Sequence, residues 1–190
     1  MALMLLGLPF VVSAQNQKVT INVKDVDVQV VFKQIKEQTR MIRNTAREIA
    51  VHLAYELSFT DKTVKELLDE RLTKEYFDTL KDEDDIYEKA PGAAQTEYIR
   101  SIVSGVAEHA PELDGYIAKY AKGWSFDRIP LVASAIMRVA MYESLYRSDI
   151  PTRVAVNEAV EIAKKYETPE TVKFINGILG SFVRGEISAE

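Results

Sequence analysis

Apolar residues recur at helical spacing in four separate stretches of this chain, and that recurrence restricts its fold more than any other feature. Ala46, Ile49, Ala50, Leu53, Ala54 and Leu57 follow i, i+3, i+4, i+7, i+8, i+11 and share one helix face. The spacing returns at Ile99, Ile102, Val103, Val106, Ala107 and Ala110, then at Val132, Ala135, Ile136, Val139 and Ala140, and again at Ile175, Ile178, Leu179 and Phe182. Each stripe must be covered by another apolar surface, so one-sided helices in this number imply helix packed on helix. Shorter stripes at Val64, Leu67, Leu68, Leu72 and at Leu113, Ile117, Tyr120 add to the set. No segment after residue 40 sustains a strand period, and the predicted body is all-α. Thr60-Asp61 reads as the cap of a helix beginning near Lys62. Thr168, Pro169 and Glu170 read as N-cap, first-turn proline and an acid beside the positive dipole end. Pro91-Gly92, Pro111 and Pro151 punctuate the remainder.

The first 40 residues follow a different pattern. Ala2 to Val12 is almost wholly apolar, and Val12-Ser13-Ala14 before Gln15 resembles a signal-peptidase site, although no Lys or Arg precedes the run. The run is too short to span a membrane, which takes about 20 apolar residues. Lys18 to Lys24 alternates like a half-buried strand, and Val28, Val31, Phe32 and Ile35 have the spacing of a helix face within Val26–Thr39. This short β-α appendage resembles the start of the small N-terminal domain of secretins and TonB-dependent receptors. The expectation is a two-part chain: residues 1–40 as a non-functional fragment and 41–190 as the working domain, with Met41 as its start.

Composition narrows the chemistry. There is no Cys, which removes disulfides, thiolate metal sites and a thiol nucleophile together. The net charge is −5, and setting aside the five basic and three acidic residues of the first 40 leaves 19 basic against 26 acidic. Nucleic-acid binding therefore needs a local basic patch, because the overall field repels phosphate. His52 and His109 have no recognisable nucleophile or acid–base partner in the sequence, and no glycine-rich phosphate loop is present. The acidic run Lys81–Asp85 lacks the glycine and alternating spacing of a calcium loop and reads as a solvated connection. Glu158 and Glu161 are an i, i+3 pair with Arg153, Lys164 and Lys165 at helical spacing to balance them. Asn157-Glu158 is expected to tie neighbouring helices by hydrogen bonds, and Gly177 to allow another backbone to approach closely, with Asn176 bonding across the contact. The chain reads as a non-enzyme without cofactor or metal.

Four segments carry a family resemblance: Thr45-Ala46-Arg47-Glu48-Ile49-Ala50-Val51, Arg138-Val139-Ala140-Met141-Tyr142-Glu143, Asp149 through Tyr166, and Phe174-Ile175-Asn176-Gly177-Ile178-Leu179. In this order they resemble the NusB family of transcription antitermination factors, over roughly residues 41–190. The resemblance implies a pair of small helical bundles and binding to the boxA element of ribosomal RNA transcripts. It also implies pairing with the small-subunit ribosomal protein NusE within the RNA polymerase antitermination complex, in the cytoplasm.

By the same resemblance, Arg43 and Arg47 belong to a basic RNA-gripping arm, here with Asn44 and Thr45 between them. Tyr166, Lys173 and Phe174 extend the RNA contact, where rings stack on unpaired bases and Lys meets phosphate. Phe174 lies about 100° to the side of the Ile175 stripe, at the edge of the core face. Tyr55 and Glu170 fall at positions associated with the RNA or protein partner. Ala133 stands where many relatives carry an acid that helps hold the protein partner. Two other readings stay open: the RNA-binding module of a ribosomal RNA methyltransferase, for which residues 41–190 leave no room for a catalytic domain, and a helical interaction module at the cell envelope.

Overall fold

A computed structural model describes residues 10–14, 17–21, 43–124 and 128–187. Eight α-helices occupy most of these residues: α1 (43–56), α2 (Val64–Arg71), α3 (Lys74–Leu80), α4 (Ala93–Glu108), α5 (Ala110–Tyr120), α6 (Leu131–Tyr146), α7 (Thr152–Tyr166) and α8 (Pro169–Phe182). A 3-10 turn (Asp85–Tyr87) links α3 to α4, and a π turn (Val183–Ile187) extends α8. Phe10–Ala14 and Gln17–Ile21 pair antiparallel, with Phe10 opposite Ile21 and Ala14 opposite Gln17. The paired Phe10–Ala14 overlaps the apolar run that resembles an export signal. The helix expected over 26–39 lies outside the described residues.

Every stripe is buried along most of its length. Ala46, Ile49, Ala50, Leu53 and Ala54 of α1, Ile99, Ile102, Val103 and Val106 of α4, and Ile175, Ile178, Leu179 and Phe182 of α8 join one continuous core. α6 differs from its expected one-sided face. Ala133, Ser134, Ala135, Ile136, Met137, Val139, Ala140, Met141 and Glu143 are all buried, because α6 is packed by α4, α5, α7 and α8 around its circumference. A helix apolar on all sides is a central helix. It is the spine against which α4, α5, α7 and α8 pack.

Local signals explain the ends. α2 starts two residues later than expected: Thr63 is its N-cap, accepting from the Glu66 N–H while the Glu66 carboxylate accepts from the Thr63 N–H. Thr60 instead accepts from the Lys62 N–H in the preceding turn. α8 begins as its sequence predicts, with Thr168 accepting from the Thr171 N–H at 3.3 Å and Pro169 in the first turn. The expected close approach at Gly177 is absent: a Cβ there would meet nothing within 4 Å, and Asn176 is exposed. Packing is tight instead at Gly105, where a Cβ would collide with the Tyr142 ring of α6. The Asn157-Glu158 pair also divides, with Asn157 exposed and Glu158 buried. Lys164 pairs with Glu161 at 2.6 Å.

Candidate functional site

The N-terminus of α1 places Arg43 and Arg47 in opposite environments. Arg43 is exposed in the first turn. Arg47, one turn on, is only 3% exposed and faces α6, where its Nε donates to both oxygens of Glu143, at 3.0 and 2.8 Å. Glu143 is fully buried and also accepts from the Tyr98 hydroxyl of α4 at 2.5 Å. Burial, with the Glu143 charge beside it, pushes the Tyr98 hydroxyl well above its ordinary value, so it stays a donor. Arg47 therefore serves as an interior strut joining α1 to α6, in place of the expected phosphate contact. A buried carboxylate needs its cation, and a guanidinium held on that carboxylate cannot also reach RNA. Near Arg43, Arg147 donates to Asp149 at 2.9 and 3.2 Å and holds that carboxyl below the usual carboxylate range; the Arg43 charge adds to the effect.

The next residue of α1, Glu48, is 4% exposed and fastens the end of α7: Lys165 Nζ donates to it at 2.6 and 2.9 Å and the Tyr166 hydroxyl at 2.7 Å. The Tyr166 ring meets His52 edge-on, with centroids 5.1 Å apart. His52 Nδ1 lies 2.8 Å from the Tyr87 hydroxyl, and burial pulls the imidazole below its ordinary value. These groups floor a mostly apolar cavity of about 400 Å³ lined by Tyr55, Phe59, Tyr76, Tyr87, Val132 and Tyr166, among others. Tyr166 therefore sits with Tyr55, expected to face a protein partner, instead of forming a patch with Lys173 and Phe174. Phe59, 62% exposed, stands at the cavity with its ring 4.9 Å from that of Tyr55.

On α8, Glu170 is exposed in the first turn and Lys173 is exposed one turn on. Phe174 is half-buried, as its position beside the stripe predicts, and its ring lies 5.0 Å from that of Trp124. Ala133 is fully buried in the first turn of α6, and the Glu167 carboxylate, from the α7–α8 connection, lies beside the Ala133 backbone, with burial pushing that carboxyl above the usual carboxylate range. An acid thus stands at this helix N-terminus, supplied from a different point in the chain.

Sequence reasoning passed over Glu48, Phe59, Tyr76 and Trp124. A lone Trp directly after Lys122-Gly123 was the available signal for Trp124. Glu48 and Glu143 carried none, because their partners lie 117 and 96 residues away in sequence. Among the described residues no cluster of His, Asp or Glu could hold a metal, and no helix is long and apolar enough to cross a membrane.

Comparison with known proteins agrees with the helical architecture. The family model for the NusB family matches residues 44–184. The transcription antitermination protein NusB of Acetivibrio thermocellus is 42% identical over 144 residues, covering 76% of this chain and 90% of the relative. The solved structure of T. maritima NusB superposes with a TM-score of 0.62 at 29% identity, covering 75% of this chain and 91% of that one. A NusB crystallised with NusE and double-stranded RNA shares the fold at 21% identity, with a TM-score of 0.60 and coverage of 76% and 97%. Matched along its helical body by a family model and by a relative that it covers almost completely, the chain belongs to the NusB family.

Proposed function

We propose that this chain is a transcription antitermination factor that binds boxA RNA of ribosomal RNA transcripts together with the small-subunit ribosomal protein NusE, in the cytoplasm, as part of the RNA polymerase antitermination complex. Its work is binding, not catalysis. The observation that carries the reading is the family match along α1–α8, the helices that present both candidate surfaces.

Two contact sets divide the work. Arg43 and Lys173 are the phosphate contacts, exposed and in no ion pair with another described residue. Phe174 supplies an aromatic edge for an unpaired base. The cavity around Tyr55 is the protein-facing site, because an apolar, aromatic-lined hollow of this size takes side chains from a partner rather than phosphate. Tyr166 contributes its ring to that hollow, Glu170 borders the RNA-facing side of α8, and Arg47 acts through the position of α1. Weak single-strand binding becomes tight when the partner adds a second linked surface. Residues 1–40 take no part in this activity, and the functional domain is 41–190.

A paired substitution tests the division. Tyr55→Ala should weaken NusE capture and leave RNA binding by the free protein unchanged, whereas Arg43→Ala should do the reverse. Loss of both activities in both variants, with the fold intact, would overturn the assignment of two surfaces.

A further inference from the structure

We infer that Trp124 is a base-stacking residue for single-stranded RNA, extending the aromatic edge of Phe174 into a two-ring platform. This deepens the RNA-binding reading above and rests on it.

Trp124 follows the last turn of α5. Its backbone N–H donates to the Ala121 carbonyl at 3.0 Å, and Gly123, at φ +81°, turns the chain in a way that side-chain-bearing residues rarely adopt. The indole is therefore held out from the body by a defined turn. It is 54% exposed, yet its ring contacts Phe174 at 5.0 Å with the planes tilted by 44°. The core does not require this arrangement: Ile175, Ile178, Leu179 and Phe182 close the face of α8 without it. A large aromatic ring left with so much of its surface in water, but supported by a second ring, has the form of a stacking platform.

Charge decides which occupant fits. Lys122 stands two residues before Trp124, and Lys173 adjoins Phe174. Both are exposed, and neither forms an ion pair with another described residue. In a chain with a net charge of −5, these two lysines, next in sequence to an exposed indole and a half-buried phenyl ring, suit an anionic strand with an exposed π-face. A base on the free face of Trp124 would carry its backbone phosphates toward these cations. Duplex RNA has no free base face to offer.

Trp124 is the only tryptophan in the chain, so its fluorescence reports on this position alone. The full-length protein would be titrated with a dye-labelled single-stranded RNA of about 12 nucleotides, within the usual site sizes, with anisotropy followed on the dye and emission on the indole. Quenching of Trp124 should track the anisotropy. Trp124→Ala should weaken binding by roughly 5- to 150-fold, the range for loss of one stacked base, with an unchanged melting curve. Trp124→Phe should recover most of the affinity, and Lys173→Glu, at an exposed position, should weaken binding without altering the fold. RNA bound by wild type with no quenching, and equally well by Trp124→Ala, would overturn the inference and leave the RNA-binding reading standing. Quenching by NusE alone, with weaker NusE capture by Trp124→Ala, would overturn it in favour of a protein contact. Failure of wild type to bind RNA with or without NusE would remove both.

Discussion

Replacing Arg47 with Ala separates an interior strut from an RNA grip. Arg47 is 3% exposed, Glu143 is fully buried, and the two share a pair of hydrogen bonds of 3.0 and 2.8 Å. Removing the guanidinium leaves the Glu143 carboxylate bonded to the Tyr98 hydroxyl but to no cation. Glu158, 6% exposed, also loses the positive charge that its own field favours. Breaking such a buried pair costs about 3–5 kcal/mol, and a domain of this size loses about 2–4 °C of melting temperature per kcal/mol. Arg47→Ala should therefore lower the melting midpoint by about 6–20 °C, read by circular dichroism at neutral pH. Replacing the pair together, as Arg47→Met with Glu143→Leu, should regain much of the loss, because apolar residues of similar volume carry no desolvation cost. If Arg47→Ala melts within 2 °C or so of wild type while its RNA affinity and salt slope fall by one phosphate contact, Arg47 faces the RNA and the buried strut is wrong.

Three further outcomes follow from the packing. Gly177→Ala should stabilise the protein by about 0.5–1 kcal/mol in denaturant titrations, since the added Cβ meets nothing and Gly is a poor helix former. Gly105→Ala should destabilise it by about 1–3 kcal/mol, because the Tyr142 ring must move. His52 should make stability fall on acidification: its folded value is depressed by burial, so its contribution is complete above about pH 6.5 and declines as pH drops below that. Melts at pH 7.5 and 5.5 would show this, with a smaller difference in His52→Gln.

The helices that were easiest to read from sequence are those with a clean one-sided stripe and a chemical cap, such as α8 behind Thr168 and Pro169. α6 was read less fully, because a stripe records the face that must be buried and is silent on whether the opposite face is covered too. Arg47 was misplaced for a related reason. It sits one residue after Ala46, beside the apolar face, and a basic residue there looks solvent-facing until its carboxylate arrives from the other end of the chain. Gly177 was read as a packing glycine, yet a Cβ there meets nothing while one at Gly105 meets the Tyr142 ring, because nothing local in sequence says which glycine has a neighbour. Within the candidate site, the half-buried position of Phe174 was legible from its place beside the Ile175 stripe. That Tyr166 lines the cavity with Tyr55 while Trp124 meets Phe174 depends on contacts between helices that no spacing encodes.

The central claim is a linked assembly of protein, RNA and NusE, and the most direct measurement is the affinity of the full-length chain for boxA RNA with and without saturating NusE. The account predicts weak, salt-sensitive binding by the chain alone, tightened by about 10²-fold or more when NusE is present, and the same factor in NusE affinity when RNA is saturating, as linkage requires. Equal RNA affinity in the presence and absence of NusE, with NusE bound, would contradict it.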